Sequence, residues 1–271
     1  MRKTKIICTI GPACESEAVL EAMCKNGMNV ARLNFSHGTH EEHRSKIDLV
    51  KAVRERLSLP IPIMLDTKGP EYRIKTFRDK RIRLSEGDAF TFTTEDVEGT
   101  EERVSVNYPH LAEELCVGDP ILVNNGLVSF RVLRIEGSEI HCTVTIGGEL
   151  SDRKSMHFPN RVMSHSFLSE QDKADILFGI ENGVDFIAAS FVSCKADIVS
   201  LRSFLNDNGG EDIDIIAKIE NRAGVEHIDE ICEVADGIMV ARGDLGVEIP
   251  FVEVPSIQKY LTGKCRLLGK R

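Results

Sequence analysis

Six short apolar segments, each followed by a helical pattern, constrain this chain more than any other feature of its sequence. These segments lie at 5–10, 28–35, 61–66, 184–192, 213–220 and 236–244. The helical patterns lie at 16–27, 39–57, 169–183, 195–210, 223–235 and 254–271, with Ser16 and Ser169 as expected caps. Apolar segments separated by helices predict a parallel sheet buried on both faces. A closed barrel of this type needs eight such units, so six predict an open sheet or an incomplete barrel.

The pattern changes between the third and fourth apolar segments. From about 73 to 165 the chain has short alternating stretches, separated by turn signals such as Asn124-Asn125-Gly126. This favours a small all-β domain at 70–168, inserted into an α/β domain formed by 1–69 and 169–271.

Composition excludes several classes of function. A formal net charge of −9 argues against nucleic acid as a partner, because phosphate binding requires a basic face. The absence of an 18-residue apolar run and of a secretory signal argues against a membrane partner and for a cytoplasmic protein. The eight cysteines are scattered without a C-x-x-C pair, which fits the same compartment. Neither a Walker-A loop nor a G-x-G-x-x-G pattern is present.

Polar residues collect where the predicted strands end. They are Arg32, Asn34, Ser36 and His37 after the second strand, Asp66, Thr67 and Lys68 after the third, Lys218 and Glu220 at the fifth, and Arg242, Gly243 and Asp244 at the sixth. Parallel strands carry function at their carboxyl ends, so we predict a catalytic cleft at this edge. The alternative is that Lys218 and Glu220 form a solvated strand end, but four such clusters at one edge favour a site.

The residue types indicate metal-assisted chemistry on an anion. Glu220 and Asp244 are sufficient for a Mg²⁺ or Mn²⁺ ion that completes its shell with water and substrate oxygens. Lys218 beside them could stabilise an oxyanion such as an enolate. Arg32 and Arg73 suit phosphate or carboxylate.

A second group of oxygen-bearing side chains has two interpretations. Asn34, Ser36, Asp66 and Thr67 could hold a weakly hydrated cation, or could serve only in capping and turn hydrogen bonds. His37, which precedes Gly38 in a tight loop, is more plausible as a structural anchor than as a general base.

Long motifs then identify a family. They are CTIGPA (8–13), ARLNFSHG (31–38), MLDTKGPEYR (64–73), GVDFIAASFV (183–192), IIAKIENRAGVEHIDEI (215–231) and DGIMVARGDLGVEIP (236–250). In this order they resemble the pyruvate kinase family closely. The resemblance implies a TIM-type (β/α)₈ barrel, incomplete here with about six βα units, and a mobile all-β lid inserted after the third strand.

The same resemblance implies a glycolytic phosphotransferase that converts phosphoenolpyruvate and ADP to pyruvate and ATP with Mg²⁺ and K⁺. It implies roles for residues that match the family motifs. These are Lys218 and Arg32 in catalysis, Arg32, Lys218, Gly243 and Asp244 in substrate binding, Glu220 and Asp244 at Mg²⁺, Asn34, Ser36, Asp66 and Thr67 at K⁺, and Asn34, Phe35, Ser36, His37, Arg73 and Lys154 on the nucleotide side.

The sequence also departs from the family pattern. It stops at Arg271, before the seventh and eighth units and the C-terminal domain that carries much of the contact in the family's homo-oligomers. The lid stretches VNNGLVSF and MHFPNRVM diverge from the usual pattern. We therefore expect little or no turnover from this chain alone.

Two other functions stay open on the sequence. One is a Mg²⁺-dependent lyase or aldolase that acts through an enolate. The other is a non-catalytic remnant that binds a metal or a partner through an unpaired sheet edge.

Overall fold

The computed structural model describes residues 4–159, 161, 163 and 167–271. Asn160 and Val162 of the divergent MHFPNRVM stretch lie outside the described residues.

The strands in chain order are β1 (Ile7–Thr9), β2 (Val30–Asn34), β3 (Ile63–Asp66), β4 (Tyr72–Arg73), β5 (Arg81–Leu84), β6 (Ala89–Thr93), β7 (Arg103–Ser105), β8 (Pro120–Val123), β9 (Val128–Glu136), β10 (Glu139–Ile146), β11 (Gly148–Ser151), β12 (Ser155–His157), β13 (Phe186–Ala189), β14 (Asp214–Ile219) and β15 (Gly237–Val240). The α-helices are α1 (Glu17–Lys25), α2 (His40–Leu57), α3 (Leu111–Glu114), α4 (Glu170–Glu181), α5 (Lys195–Asp207), α6 (Arg222–Glu226), α7 (Ile228–Val234), α8 (Arg242–Glu248) and α9 (Val254–Leu267). Short 3₁₀ turns lie at Pro12–Cys14 and Phe251–Glu253.

Six strands form one parallel sheet in the order β1-β2-β3-β13-β14-β15. Its order follows the chain, with the all-β segment inserted between β3 and β13. Within the described residues β1 and β15 are its two edges. The predicted fold, an incomplete (β/α)₈ barrel, is confirmed.

Successive residues of these strands point to opposite sides of the sheet. Leu33, Leu65 and Ile215 join a large core with the helices. On the opposite side, Met64, Ala188 and Ile216 form a small apolar cluster. Continuing that side toward the carboxyl ends of the strands leads to the polar residues of the candidate site.

Two helices of this layer begin with reciprocal capping hydrogen bonds. Thr39 and Glu42 form such a capping box at α2, and Ser169 and Asp172 form one at α4. Ser16 lies at the N-cap of α1 as predicted, but its side chain makes no cap hydrogen bond.

The inserted segment, residues 70–168, is called the lid below. It contains a seven-stranded sheet in the order β4-β12-β8-β9-β10-β6-β7 and a two-stranded sheet, β11-β5. A separate hydrophobic core includes Phe90, Phe92 and Phe130. Asn124 and Asn125 both have φ of 56°, a left-handed conformation that asparagine tolerates well, as the predicted turn requires.

Three predicted elements end differently in the structure. The expected strand at 236–244 was wrong beyond Val240, because Arg242–Glu248 is helical and Leu245 packs in an apolar cluster beside it. The strand expected at 184–192 stops at Ala189, just before Phe191 adopts a φ of 57°. The helix expected at 223–235 is two shorter helices that meet at His227.

None of the helices in the described part of the chain is long and apolar enough to cross a membrane.

Candidate active site

Lys218 is the centre of a buried charged cluster at the carboxyl ends of the parallel strands. Its side-chain nitrogen lies 2.9 Å from Asp66 Oδ1 and 3.0 Å from Glu220 Oε1. It also donates a 2.6 Å hydrogen bond to Ser190 Oγ. Only 8% of Lys218 and 1% of Glu220 is exposed, so the ammonium is held by three oxygens in a nearly dry environment.

The alternation of the strands explains this meeting. Lys218, in β14, and Glu220, just after it, are two residues apart and point to the same side of the sheet. Asp66 ends β3, which is separated from β14 only by β13, and pairs in register with Ala188. The predicted common face of Lys218 and Glu220 is confirmed.

Arg32 adds a second cation to the cluster. Its Nε donates to Asp66 Oδ2 at 2.6 Å, and its Nη2 lies 2.5 Å from the same oxygen. Its Nη1 donates to Thr9 Oγ1 at 2.6 Å. Asp66 therefore lies between two cations, Arg32 and Lys218.

The second oxygen of Glu220 accepts a 2.7 Å hydrogen bond from the backbone N–H of Phe191. Burial raises the pKa of Glu220 to about 7, although Lys218 opposes the shift, and the negative charge of Asp244 raises it further. Burial lowers the pKa of Lys218, but Glu220 and Asp66 outweigh it, so the net shift is upward. Lys218 is therefore positively charged at neutral pH.

Asp244 lies in the first turn of α8 and is exposed. Among residues 4–159, 161, 163 and 167–271, no group of three or more His, Cys, Asp or Glu side chains is arranged to hold a metal. A pair of carboxylates that disfavour each other's charge is nevertheless a suitable donor set for Mg²⁺, which usually keeps several waters and takes substrate oxygens. The residues present therefore fit a magnesium ion with two protein ligands.

A cleft of about 690 Å³ separates the lid from the strand ends. Its lining includes Arg73, Asn124, Asn125, Lys154 and His157 from the lid, and Phe191, Asn221, Arg222, Asp244 and Glu248 from the other side. Lys218, Glu220, Arg32 and Asp66 are not among the lining residues. Glu220 connects to the cleft through Phe191, so the charged cluster lies just behind its wall.

Comparison with known proteins decides the family. The sequence model of the pyruvate kinase barrel domain matches residues 1–271. The chain belongs to the pyruvate kinase family. It is 49% identical over 271 residues to the pyruvate kinase of Geobacillus stearothermophilus, an alignment that covers 99% of this chain and 46% of that protein.

Other pyruvate kinases are similar in the same way. That of Staphylococcus haemolyticus is 48% identical over 272 residues, with 100% of this chain and 46% of that protein covered. That of Clostridium acetobutylicum is 45% identical over 271 residues, with coverages of 100% and 57%. The chain thus spans about half the length of the curated pyruvate kinases it matches.

On the lid side, the two cations that the pyruvate kinase resemblance places near the nucleotide both line the cleft. Arg73 is engaged by its own neighbours: Nε and Nη2 donate to Glu71 at 2.9 and 2.8 Å, and Nη1 donates to the Arg153 carbonyl at 2.7 Å. The bond to Glu71 raises the pKa of Arg73. Lys154 is tied by its backbone, whose carbonyl accepts from Ile74 N–H at 3.0 Å.

The loop after β2 is held by hydrogen bonds and by ring stacking. Asn34 Oδ1 accepts from Ser36 N–H at 3.1 Å, which is the turn bonding weighed against a cation site. Phe35 is buried and stacks on His43 with a ring separation of 3.9 Å. His37 contributes its backbone carbonyl, which lies 2.8 Å from His43 Nε2.

Thr67 is buried and bonded to the next strand end. Its Oγ1 accepts from Ser190 N–H at 3.1 Å, and its carbonyl accepts from Ser190 Oγ at 2.6 Å. Three of the four residues proposed for K⁺ therefore already use a side-chain oxygen in a contact within the chain. They are Asn34, Asp66 and Thr67.

Sequence reasoning missed Ser190, Thr9 and Phe191. Ser190 follows β13 and Thr9 ends β1, so both obey the strand-end rule that found the other polar residues. That rule would have found them had it been applied to every strand. Phe191 has a left-handed backbone conformation and contributes only its backbone N–H, which no side-chain pattern in the sequence could predict.

Proposed function

We propose that this chain carries the catalytic barrel of a pyruvate kinase, which transfers a phosphoryl group from phosphoenolpyruvate to ADP in glycolysis. Mg²⁺, or Mn²⁺ in its place, and K⁺ are the proposed cofactors. In this proposal residues 70–168 form the lid domain, and residues 1–69 and 169–271 form the barrel domain.

One observation supports the proposal above the others. The ammonium of Lys218 is fixed by Asp66, Ser190 and Glu220, and Glu220 is one of the two proposed divalent-ion ligands. A preorganised cation in a water-poor site is what an enolate oxygen needs as its charge develops, because the environment need not reorganise. Phosphoryl transfer depends chiefly on such positioning and charge neutralisation.

The remaining roles follow from chemistry and placement. Arg32 presents a planar guanidinium suited to the phosphate of phosphoenolpyruvate, while Asp66 and Thr9 hold its orientation. Glu220 and Asp244 would hold Mg²⁺, which neutralises phosphate charge when it is bound. Gly243, beside Asp244, would bring backbone N–H groups to the substrate carboxylate.

The nucleotide would occupy the cleft. Arg73 and Lys154 of the lid, with residues 34–37, would contact its phosphates, and this requires Arg73 to exchange Glu71 for a phosphate oxygen. We propose that K⁺ binds near Asn34, Ser36, Asp66 and Thr67, using lone pairs that the internal bonds leave available.

The test combines binding and turnover. Calorimetry with Mn²⁺ and phosphoenolpyruvate is expected to show joint binding that Glu220→Gln abolishes. A coupled assay with phosphoenolpyruvate, ADP, Mg²⁺ and K⁺ measures turnover, and Lys218→Met is expected to abolish any activity found.

Two outcomes would redirect the proposal. Absence of both phosphoenolpyruvate binding and turnover would contradict it. Metal binding without phosphoenolpyruvate binding would favour a non-catalytic metal-binding protein instead.

A further inference from the structure

The two residues that flank the lid, Gly69 and Ser169, are both hydrogen-bonded to one buried carboxylate, that of Asp172. The N–H of Gly69, the last residue before the lid, donates to Asp172 Oδ1 at 3.0 Å. The hydroxyl of Ser169, the first residue after the lid, donates to Asp172 Oδ2 at 2.6 Å. Asp172 is only 1% exposed, so water does not compete for these bonds.

The capping box of α2 shows that this arrangement goes beyond helix capping. There Glu42 Oε2 accepts from the N–H of Thr39, its own N-cap, at 2.8 Å. Asp172 performs the same local function through Oδ2 and uses its other oxygen to reach Gly69, 103 residues earlier in the chain. The second bond joins the two connections of the lid.

Gly69 also lies directly against the turn that holds the charged cluster. A Cβ at Gly69 would lie 2.7 Å from Ser190 Cβ and 3.1 Å from a ring carbon of Phe191, and its φ of +69° suits glycine. Ser190 Oγ accepts from Lys218, and Phe191 N–H donates to Glu220. A displacement of Gly69 would therefore press on the two residues that orient the lysine and the glutamate.

We propose that Asp172 is a positioning residue, which fixes both ends of the lid against the Ser190–Phe191 turn and thereby links lid position to the geometry of Lys218 and Glu220. The catalytic importance of that link rests on the proposed function. The mechanical link itself does not, because every contact in it is within the chain.

Amide hydrogen exchange without ligand tests the link. In Asp172→Asn both bonds lose their charge assistance and one acceptor oxygen becomes an amide nitrogen. We therefore expect the Gly69 and Phe191 amides to exchange about tenfold faster. Ser169→Ala removes the cap of α4 and the hydroxyl bond at the second lid connection, but it leaves the bond from Gly69 to Asp172 in place. It should speed exchange at the Asp172 amide, which donates to Ser169 Oγ at 3.0 Å, and leave Gly69 and Phe191 unchanged. Glu42→Gln, a capping change in α2, should leave both amides unchanged.

A second readout separates this role from general destabilisation. Affinity for Mn²⁺ should fall several-fold in Asp172→Asn and stay unchanged in Ser169→Ala. The melting temperature of each variant is measured alongside, so that a fall in affinity can be told from a general loss of stability. Equal effects of the two variants on exchange would show that Asp172 is only a helix cap and would overturn the proposal.

The unaltered chain provides a test that needs no variant to fold. Its Gly69 amide should exchange as slowly as the neighbouring amide of Thr67, and exchange at the rate of an exposed amide would overturn the proposal. Gly69→Ala gives a further check, since it should speed exchange at Phe191 and spare the Asp172 amide. If the unaltered chain binds no Mn²⁺, the proposed function fails, whereas the exchange results stand by themselves.

Discussion

The two sides of the cleft hold their charges in different ways. At the strand ends, Lys218, Asp66 and Glu220 are almost fully buried, and each has a partner in or just after a different strand. On the lid, Arg73 has 36% of its side chain exposed and is paired with Glu71, two residues away. The first set belongs to the ends of the parallel sheet, whereas Arg73 belongs to the two-residue strand β4 and Glu71 directly precedes that strand.

This difference separates two tasks. Buried charges cannot leave one another cheaply, so their geometry is fixed before any substrate arrives. Half-exposed ion pairs contribute little to stability and can exchange partners at small cost. We therefore propose that the strand ends hold developing charge and that the lid accepts and releases a polyphosphate.

We expect the largest loss of stability when Lys218, the buried cation at the strand ends, is replaced. Lys218→Met leaves Asp66 and Glu220 without their shared cation, so the free energy of unfolding should fall by about 3–5 kcal/mol. Urea denaturation measures it. Lys173→Met is the matched control, because Lys173 pairs with Glu170 on the surface of α4, and it should cost no more than about 0.5 kcal/mol. Equal losses of unfolding free energy in the two variants would refute the distinction between buried and exposed charges.

Glu220 should make stability depend on pH in the metal-free chain. Its pKa is raised from 4.5 to about 7, so between these values the folded chain keeps a proton that the unfolded chain has lost. The free energy of unfolding should therefore fall as pH rises through this window, by about 3 kcal/mol in total, and level off above it. Denaturation at several pH values measures the slope, which Glu220→Gln should reduce. An unchanged slope in that variant would contradict the account.

His157 belongs to the lid, but, like the strand-end residues, it is buried and has a largely buried charged partner. Its Nδ1 lies 3.1 Å from Glu248 Oε1 of α8, and both side chains are largely buried. His157→Ala should lower the free energy of unfolding by about 2 kcal/mol, because Glu248 loses a partner in a dry environment. His141→Ala serves as control, since His141 is more exposed, its Nδ1 lies 3.1 Å from the Thr91 hydroxyl and its Nε2 lies 3.6 Å from Glu136. A smaller loss at His157 than at His141 would show that burial does not govern the difference.

The smallest effect on stability is expected at Arg73. Arg73→Ala should lower the free energy of unfolding by no more than about 1 kcal/mol, because its ion pair with Glu71 is partly exposed to water and only the bond to the Arg153 carbonyl is lost besides. ADP binding, measured by calorimetry, should weaken clearly in the same variant. A large loss of stability with unchanged ADP binding would mean that Arg73 is structural.

Much of the fold could be predicted from the sequence because local pattern and tertiary structure agree. The apolar segments became the six parallel strands, and Ser169 became the N-cap of α4 as expected. Period-two alternation placed Lys218 and Glu220 on one face, and the strand-end rule placed Arg32 and Asp66 near them.

The remainder depends on contacts that no local pattern contains. Arg242–Glu248 has two glycines and low helical propensity, yet it is helical where Leu245 packs against Ile249 and Val254. Asp66 was expected only as an oxygen ligand, and its position between Arg32 and Lys218 follows from the neighbouring strands. The bond from Asp172 to Gly69 spans the whole lid and is invisible to any short window.

The proposal that Glu220 and Asp244 bind one divalent ion is tested most directly by an anomalous-scattering map of crystals grown with Mn²⁺ and phosphoenolpyruvate. We predict one manganese peak within about 2.5 Å of carboxylate oxygens from both Glu220 and Asp244, with Lys218 beside the bound substrate. A peak that contacts neither carboxylate, or two peaks that each contact one of them, would contradict it.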